Sequence, residues 1–221
     1  MLAAQAQYDK LLFIDCDAKV DSPTFIHDYI ATASSYCVVC GGLKHPQQIP
    51  SNDVSLRFRY EKRADKKRSA KSRNQNPYKQ FTPFSFLIDR RYFMRIKFNE
   101  TFTGYGYEDI YFGQELEERQ ATIIHIDNPL IHLGLESNQL FLEKTYNAIE
   151  NLYVHRDEIY STSRLLSRYR EMRHLGMGWC ITILDKILFN HIKSNLLSTD
   201  PSLLYFSLYK TILLHRIWRA R

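Results

Sequence analysis

The sequence predicts an α/β fold in its first 136 residues and a helical region in residues 137–221. In the first part, short apolar runs of strand length alternate with stretches that have helical periodicity. Glycine, proline and asparagine separate these runs, as expected for turns. After residue 136 the strand-like runs stop and only helical stretches remain. With 221 residues, the chain is long enough to bury a substantial core.

The first strand is predicted at 11–14, where "LLFI" is apolar at every position, as in a buried parallel strand. A helix should follow, with Ser22 as its cap and Pro23 in its first turn. The helical spacing predicts one apolar stripe along it, formed by Phe25, Ile26, Tyr29, Ile30 and Ala33.

Further strands are predicted at "YCVVC", which the glycine pair 41–42 closes, and at "FSFLI" over 84–88. The C-x-x-C of Cys37 and Cys40 is predicted to be part of a buried strand, because its residues are apolar, rather than a redox or metal motif. A helical turn is expected at "RRYFMRI". A glycine-rich loop should then enter a helix near Glu108, and two short strands should follow at "ATIIHI" and "PLIHLG".

Three or four helices are predicted in residues 137–221. They should start at Ser137, near 161–163, after Gly178 and at 200–201. The last two combine many Leu, Ile, Phe and Tyr residues with interspersed basic residues. They could therefore pack on the α/β core, or lie as an amphipathic anchor in a membrane interface, where Trp179 and Trp218 would suit them. No stretch reaches 18 uninterrupted apolar residues, so no membrane span is expected.

The net charge of +6 is concentrated in residues 57–73, which hold nine Lys or Arg against two acidic residues. Such a run forms a solvated helix face or loop, or it binds an anionic substrate or an anionic membrane surface. Nucleic acid is not an expected partner, because little aromatic interleaving and no nucleic-acid motif accompany the run. The four cysteines lack zinc spacing, and the first residues lack the features of a signal peptide. These observations predict a cytoplasmic protein. A peripheral protein at the inner membrane face is the alternative.

Asp15 and Asp17 follow the first predicted strand directly. Because side chains alternate along an extended chain, both carboxylates should point to one side and Cys16 to the other. Two adjacent carboxylates repel each other unless a cation joins them, and Mg²⁺ or Mn²⁺ would also bind phosphate oxygens. The pattern therefore predicts a metal–phosphate site, although a pair of capping or loop aspartates would have the same spacing.

Three segments resemble family 2 glycosyltransferases, which have the GT-A fold. "LLFIDCDAKV" is similar to their D-x-D strand. "FLIDRRYFMRIKFNETFTGYGYEDIYFGQEL" is similar to the stretch on their acceptor side, and its G-Y-G-Y-E-D resembles the G-W-G-x-E-D of galactosyltransferase-like domains. "NPLIHLG" offers a histidine where many of these enzymes place a third metal ligand. The resemblance implies inverting, metal-dependent transfer from a nucleotide-diphosphate sugar to a glycan or lipid-linked acceptor, as in surface polysaccharide synthesis.

The resemblance also implies roles for the glycine-rich segment. Asp109 is the candidate catalytic base, and Glu108 would bind acceptor hydroxyls or orient the site. Both stand at a predicted helix N-terminus, which favours the ionised carboxylate. Tyr105 takes the place of an aromatic residue that lines the sugar pocket, and Gly104 and Gly106 complete the donor- and acceptor-binding loop.

The metal, Mn²⁺ or Mg²⁺, would be held by Asp17, Asp15 and His132. A neutral imidazole favours Mn²⁺ over Mg²⁺. His125, on the neighbouring predicted strand, is a competing candidate ligand. Asp15 would alternatively contact the ribose of the nucleotide or a metal-bound water.

The family places several nucleotide-binding β-α units before the D-x-D strand, whereas here ten residues precede it. The expected fold is therefore a partial GT-A mixed sheet that lacks those units and is followed by the helical region. An alternative is a non-catalytic half-domain that binds a glycan or a partner enzyme. A haloacid-dehalogenase-like phosphatase is less favoured, because Ala18 and Lys19 replace the Gly and Thr of its D-x-D-G-[TS] motif.

Overall fold

The computed structural model describes residues 2–33, 37–65, 67–159 and 163–221. Its helices are α1 (Leu2–Gln5), α2 (Phe25–Ala33), α3 (Ser55–Asp65), α4 (Ala70–Arg73), α5 (Arg90–Ile96), α6 (Glu108–Glu118), α7 (Asn138–Val154), α8 (Arg164–His174), α9 (Gly178–Leu196) and α10 (Leu203–Ala220). Its strands are β1 (Lys10–Ile14), β2 (Ala18–Lys19), β3 (Val38–Cys40), β4 (Leu43–Lys44), β5 (Ser85–Asp89), β6 (Ile123–His125) and β7 (Leu130–His132). The chain is thus an α/β protein, as the sequence predicts.

The chain forms two compact units. The first comprises Met1–Gln47, Lys62–Asn99 and Glu108–Gly134. The second comprises Gln48–Glu61, Glu100–Tyr107 and Leu135–Arg221. All seven strands given above lie in the first unit, and α7 to α10 lie in the second.

The main sheet of the first unit has four strands in the order β1-β5-β3-β6. β5 is antiparallel to both β1 and β3, whereas β3 and β6 are parallel. β1, β3 and β6 therefore run in the same direction, and their carboxyl ends meet at one edge of the sheet. Asp15 follows β1 at this edge.

The prediction that β1 is a buried parallel strand is wrong. Within the described residues β1 pairs only with β5, in antiparallel register, and both of its ends are exposed. The run is apolar at every position because its side chains serve two hydrophobic clusters. Leu11 and Phe13 pack against one cluster, and Leu12 packs against the other.

These two clusters lie on opposite faces of the sheet, as the alternation along β3 shows. Val38 and Cys40 belong to the cluster that also holds residues of α5 and α6, whereas Val39 belongs to the cluster that holds residues of α2. Each fully buried Val, Leu, Ile or Phe side chain contributes about 1.5–3 kcal/mol relative to an exposed one. The unit is therefore a sheet with helices on both faces.

α2 confirms the predicted helix, but it begins at Phe25, so Ser22 and Pro23 precede it rather than cap and start it. The predicted apolar stripe is also corrected. Phe25, Tyr29 and Ala33 are buried, whereas Ile26 and Ile30 are 52% and 64% exposed. The three buried residues are spaced four apart, so only one narrow side of the helix faces the sheet. The Tyr29 hydroxyl lies 2.5 Å from the Ser85 Oγ of β5, which satisfies both buried groups.

A second, small sheet follows the end of β1, with strand order β2-β7-β4. β2 is antiparallel to β7, with Ala18 opposite His132, and β4 is parallel to β7. Because β2 starts one residue after Asp17, this sheet fixes the position of the D-x-D segment.

In the second unit, the structure has helices near all four predicted starts, although α10 begins at Leu203, after Ser202, rather than at 200–201. The Oγ of Ser137, Ser163 and Ser202 accepts a hydrogen bond from the backbone N–H three residues later, which caps α7, α8 and α10. Residues 161 and 162 of the predicted start at 161–163 lie outside the described residues. Among the helices of the described ranges, none is long and apolar enough to cross a membrane.

Cys37 and Cys40 are not joined by a disulfide, and Val38–Cys40 forms the fully buried strand β3. Burial raises the pKa of the Cys40 thiol to about 12, and the nearby Arg73 guanidinium opposes this rise. A thiol with so high a pKa is unreactive at neutral pH. The structure thus agrees with the interpretation of "YCVVC" as a structural strand.

Candidate functional site

The structure places Asp17 and His132 in contact, although they are 115 residues apart in the chain. The His132 Nε2 lies 3.1 Å from the Asp17 Oδ2. The pairing of β2 with β7 produces this contact, and the Leu133 N–H extends it by donating to the Asp17 carbonyl over 3.0 Å. The His132 residue is buried, whereas the Asp17 side chain is 38% exposed, so the pair is accessible from one side.

Gly134 leaves the space that the Asp17 carboxylate occupies. A Cβ on Gly134 would lie 2.0 Å from the Asp17 Oδ2 and 2.8 Å from its Cγ. Any other residue at position 134 would therefore displace the carboxylate. The glycine of "NPLIHLG" is therefore required for steric reasons, which the sequence alone did not reveal.

Asp15 lies in the same electrostatic environment. Its pKa is raised, first because its carboxyl group is partly removed from solvent and second because Asp17 is negative; His132 partly opposes the rise. The backbone holds the turn in place, since the Asp15 N–H donates to the Phe84 carbonyl and the Ala18 N–H donates to the Asp15 carbonyl, each over 3.1 Å. Two mutually repelling carboxylates of this kind would be relieved by a bound cation.

His45 is a neighbour of this pair that the sequence analysis did not identify. Its side chain is fully buried, and its ring meets the His132 ring edge to face with centroids 5.7 Å apart. The two histidines offer ring nitrogens within 4.8 Å of each other. The His45 Nδ1 lies 2.9 Å from the Asp65 Oδ1 and 3.1 Å from the Arg68 Nη1, which fixes the ring. No local signal predicts this, because the parallel pairing of β4 with β7 brings His45 into place.

Asp17, Asp15, His132 and His45 supply a mixed set of carboxylate oxygens and imidazole nitrogens, although among the described residues no three of them have their ligand atoms all within 4.8 Å of one another. Carboxylates suit Mg²⁺ and Mn²⁺, and imidazole favours the later transition metals, so the mixed set fits Mn²⁺ better than Mg²⁺. The carboxylate of Asp65 supports the His45 ring in the way that carboxylates commonly orient metal-binding histidines. The residue types present therefore suit a divalent cation by their chemistry.

His125, the competing candidate ligand, is engaged in structural contacts. Its Nδ1 accepts from the Arg73 Nη1 over 2.7 Å and its Nε2 donates to the Pro77 carbonyl over 2.8 Å. Burial lowers the pKa of His125 to about 4, and the Arg73 charge contributes to this. The ring is thus neutral, and both of its nitrogens already have partners.

Arg73 itself is buried, although it ends the basic segment that was expected to be a solvated face or an anion site. Its guanidinium donates to the carbonyls of Cys40, Gly41 and Ile126. These carbonyls lie where β3 and β6 end, so Arg73 stabilises the backbone at the edge of the sheet that also carries the end of β1.

Glu108 and Asp109 begin α6 in the first unit. Burial raises the pKa of Asp109 to about 6, and the negative charge of Glu108 raises it as well. The Ile110 N–H, which donates to the Asp109 Oδ1 over 2.8 Å, opposes the rise. The Glu108 Oε2 is buried and has no hydrogen-bond partner within the described part of the chain. The two carboxylates are thus poorly satisfied by their own protein.

The glycine-rich segment before α6 belongs to the second unit. Gly106 has a φ of 89°, which favours glycine, and the Asn151 Nδ2 of α7 donates to the Gly106 carbonyl over 2.6 Å. A Cβ on Gly104 would lie 2.9 Å from the Asn151 Cγ. Tyr105 is 44% exposed, with the Lys144 ammonium 5.2 Å from its ring centroid. Backbone conformation and close packing therefore explain the two glycines. The sugar-binding role of Tyr105 stays a prediction.

A cavity of about 350 Å³ opens among α7, α9 and α10 of the second unit. Aromatic and aliphatic side chains form most of its wall, with Lys193 and Arg216 among the polar residues. None of the site residues predicted from the sequence lines this cavity. It therefore gives no support to the predicted site.

Comparison with known protein families finds no family model that matches the sequence, and comparison with curated proteins finds no matching relative.

Proposed function

We propose that the chain is a metal-dependent glycosyltransferase of the family 2 type with a partial GT-A fold. It transfers a sugar from a nucleotide-diphosphate donor to a hydroxyl of a glycan or lipid-linked acceptor, with inversion at the anomeric carbon. The observation that carries the proposal is the contact between Asp17 and His132 at the carboxyl end of β1. Asp15 lies close enough to Asp17 and His132 to be affected by their charges, the His45 ring packs against His132, and both residues offer further donors for a divalent cation.

In this proposal Asp17, His132 and Asp15 would hold Mn²⁺ or Mg²⁺, and His45, whose ring packs against that of His132, would be a further ligand. When bound, the cation supplies positive charge that stabilises the departing nucleoside diphosphate. The chain contributes the position of these ligands. Gly134 leaves room for the Asp17 carboxylate, and β7 fixes His132 opposite β2.

Asp109 is the proposed base. The acceptor hydroxyl oxygen forms a bond to the anomeric carbon, and the bond from that carbon to the diphosphate oxygen breaks. The diphosphate keeps the electron pair, and the hydroxyl proton passes to the Asp109 carboxylate. A pKa of about 6 leaves this carboxylate ionised at cytoplasmic pH and a better proton acceptor than an ordinary aspartate. The buried Glu108 Oε2 is a second acceptor, for a hydrogen bond from another acceptor hydroxyl.

Calorimetric titration of UDP into the purified chain, with and without Mn²⁺, tests the proposal. Metal-dependent binding is expected, and Asp17→Ala should weaken it by at least about tenfold because one ligand is lost. Glu117→Ala, at the exposed end of α6, is the control and should bind as the wild type does. GDP and CMP are titrated in parallel to cover other donors. Absence of binding to all three by a folded chain, or binding that Asp17→Ala leaves unchanged, would contradict the proposal.

A further inference from the structure

α9 presents an apolar face to solvent. Trp179, Ile183 and Ile187 lie on successive turns and are 66%, 45% and 71% exposed. Leu175, in the turn before the helix, is 75% exposed and extends the row. Ile181, Ile192 and Leu196 on the other side of α9 are buried. From Trp179 to Ile187 the row covers about 12 Å at the helical rise. Contiguous exposed apolar surface of this kind commonly marks an interaction site.

The charges beside this row are positive. Lys186 and Lys193 are spaced by seven residues, which places them on one side of the helix next to the row. Neither forms an ion pair or hydrogen bond with other described residues. Asp185 is the sole acidic residue of α9, and Arg216 of α10 neutralises it through contacts of 2.6–3.1 Å. The apolar face is therefore flanked by two lysines, of which Lys193 also lines the cavity that contains Glu143 of α7.

We propose that this face of α9 binds an anionic lipid bilayer, with the helix lying parallel to the membrane plane. Trp179 and the isoleucines enter the boundary between headgroups and acyl chains, and the two lysines bind anionic headgroups. A second copy of the chain fits less well, because it would bring four lysines together around one apolar contact. The proposal is independent of the proposed function, since vesicle binding requires no sugar transfer.

Sedimentation of the full chain with vesicles of phosphatidylglycerol or of phosphatidylcholine tests the proposal. The wild type should bind the anionic vesicles and leave the neutral ones largely unbound. Ile187→Asp should weaken binding about tenfold or more, because an exposed apolar anchor becomes an anion. Leu204→Asp is the matched control. Leu204 is 67% exposed on α10 of the same unit, so its replacement should change binding less than twofold.

The contribution of the two lysines to membrane binding is tested separately. Lys186→Glu and Lys193→Glu should each weaken binding to phosphatidylglycerol vesicles about fivefold or more, and added salt should weaken wild-type binding. Lys71→Glu, an exposed lysine in α4 of the first unit, should have a smaller effect. Trp179 fluorescence should shift to the blue on binding, and Trp179→Phe should remove that shift while binding persists.

Two results would overturn the proposal. One is wild-type protein that stays in the supernatant with anionic vesicles. The other is a vesicle-free dimer, detected by light scattering, that Ile187→Asp dissociates while Leu204→Asp does not, because the face would then be an interface between two copies.

Discussion

Replacement of Asp109 by asparagine should stabilise the folded chain at alkaline pH while it abolishes sugar transfer. Burial, followed by the negative charge of Glu108, raises the pKa of Asp109 from 3.8 to about 6. The folded state thus binds the proton more tightly than the unfolded chain does. Ionisation of this carboxyl costs folding free energy that grows between pH 4 and pH 6 and stays constant above that range.

The size of the effect follows from the shift. A change of about two pKa units corresponds to about 3 kcal/mol, and because the residue is only half-buried we expect about 1–3 kcal/mol. Asparagine avoids the cost because it is uncharged at every pH. Its side-chain oxygen still accepts the hydrogen bond from the Ile110 N–H. The stabilisation should therefore appear at pH 8 and be small at pH 4.

Urea denaturation at pH 4 and pH 8 measures this difference. Glu117→Gln, a carboxylate at the exposed end of the same helix, should change the free energy of unfolding by less than about 0.5 kcal/mol at either pH. An Asp109→Asn variant that is no more stable than the wild type at pH 8 would refute the electrostatic reasoning. The same would hold for a variant that is equally stabilised at both pH values.

Activity provides the second half of this test. Wild-type transfer should fall as the pH decreases through about 6, because the base becomes protonated. Asp109→Asn should lose about 10²–10⁴-fold in transfer rate and keep its UDP affinity. A non-catalytic half-domain would instead keep its binding function in this variant, so retained function without transfer would favour that alternative.

Two further substitutions test the structure of the first unit. Gly134→Ala should weaken Mn²⁺ binding, measured by calorimetry, by at least about tenfold, because the new Cβ displaces the Asp17 carboxylate. It should lower the free energy of unfolding by less than about 1 kcal/mol, because that carboxylate is free to turn outward. Gly178→Ala, whose Cβ would meet its nearest atom at 3.6 Å, should leave Mn²⁺ binding unchanged; equal effects of both would exclude the steric explanation. Arg73→Met should cost at least about 3 kcal/mol in urea denaturation, because four backbone carbonyls and His125 lose their donor. Arg73→Lys should recover less than half of that loss, since an ammonium lacks the planar fork of donors, and full recovery would contradict this account.

Much of the fold could be predicted because its signals are local. Helical periodicity and a serine cap located α7, and the apolar run before a glycine pair located β3. The direction of β1 could not be predicted in this way. Its apolar residues indicate burial on two faces, but its partner β5 comes about seventy residues later in the chain, and antiparallel pairing leaves no mark on β1 itself.

The candidate site shows the same limit. The D-x-D pattern and the histidine of "NPLIHLG" singled out Asp17 and His132, and the structure places them within hydrogen-bond distance. His45 has no motif around it, and its place beside His132 depends on the pairing of β4 with β7. The burial of Arg73 could not be predicted for a different reason. The charged residues around it favour a solvated segment, and only the tertiary structure reveals that its guanidinium is enclosed by backbone carbonyls.

The distribution of unfavourable electrostatics in the first unit supports a functional role for both acidic motifs. Arg73 and His125 have complete sets of contacts there, whereas a buried oxygen of Glu108, like those of Tyr92, Gln114 and Asn128, lacks a partner among the described residues. The acidic motifs differ from these neutral groups in their charge, because the carboxyl groups of Asp15 and Asp109 have raised pKa values. Selection for stability alone would remove such groups, because uncharged replacements avoid the cost. Their occurrence in the D-x-D and E-D motifs is what a site completed by a cation and by substrate hydroxyls requires.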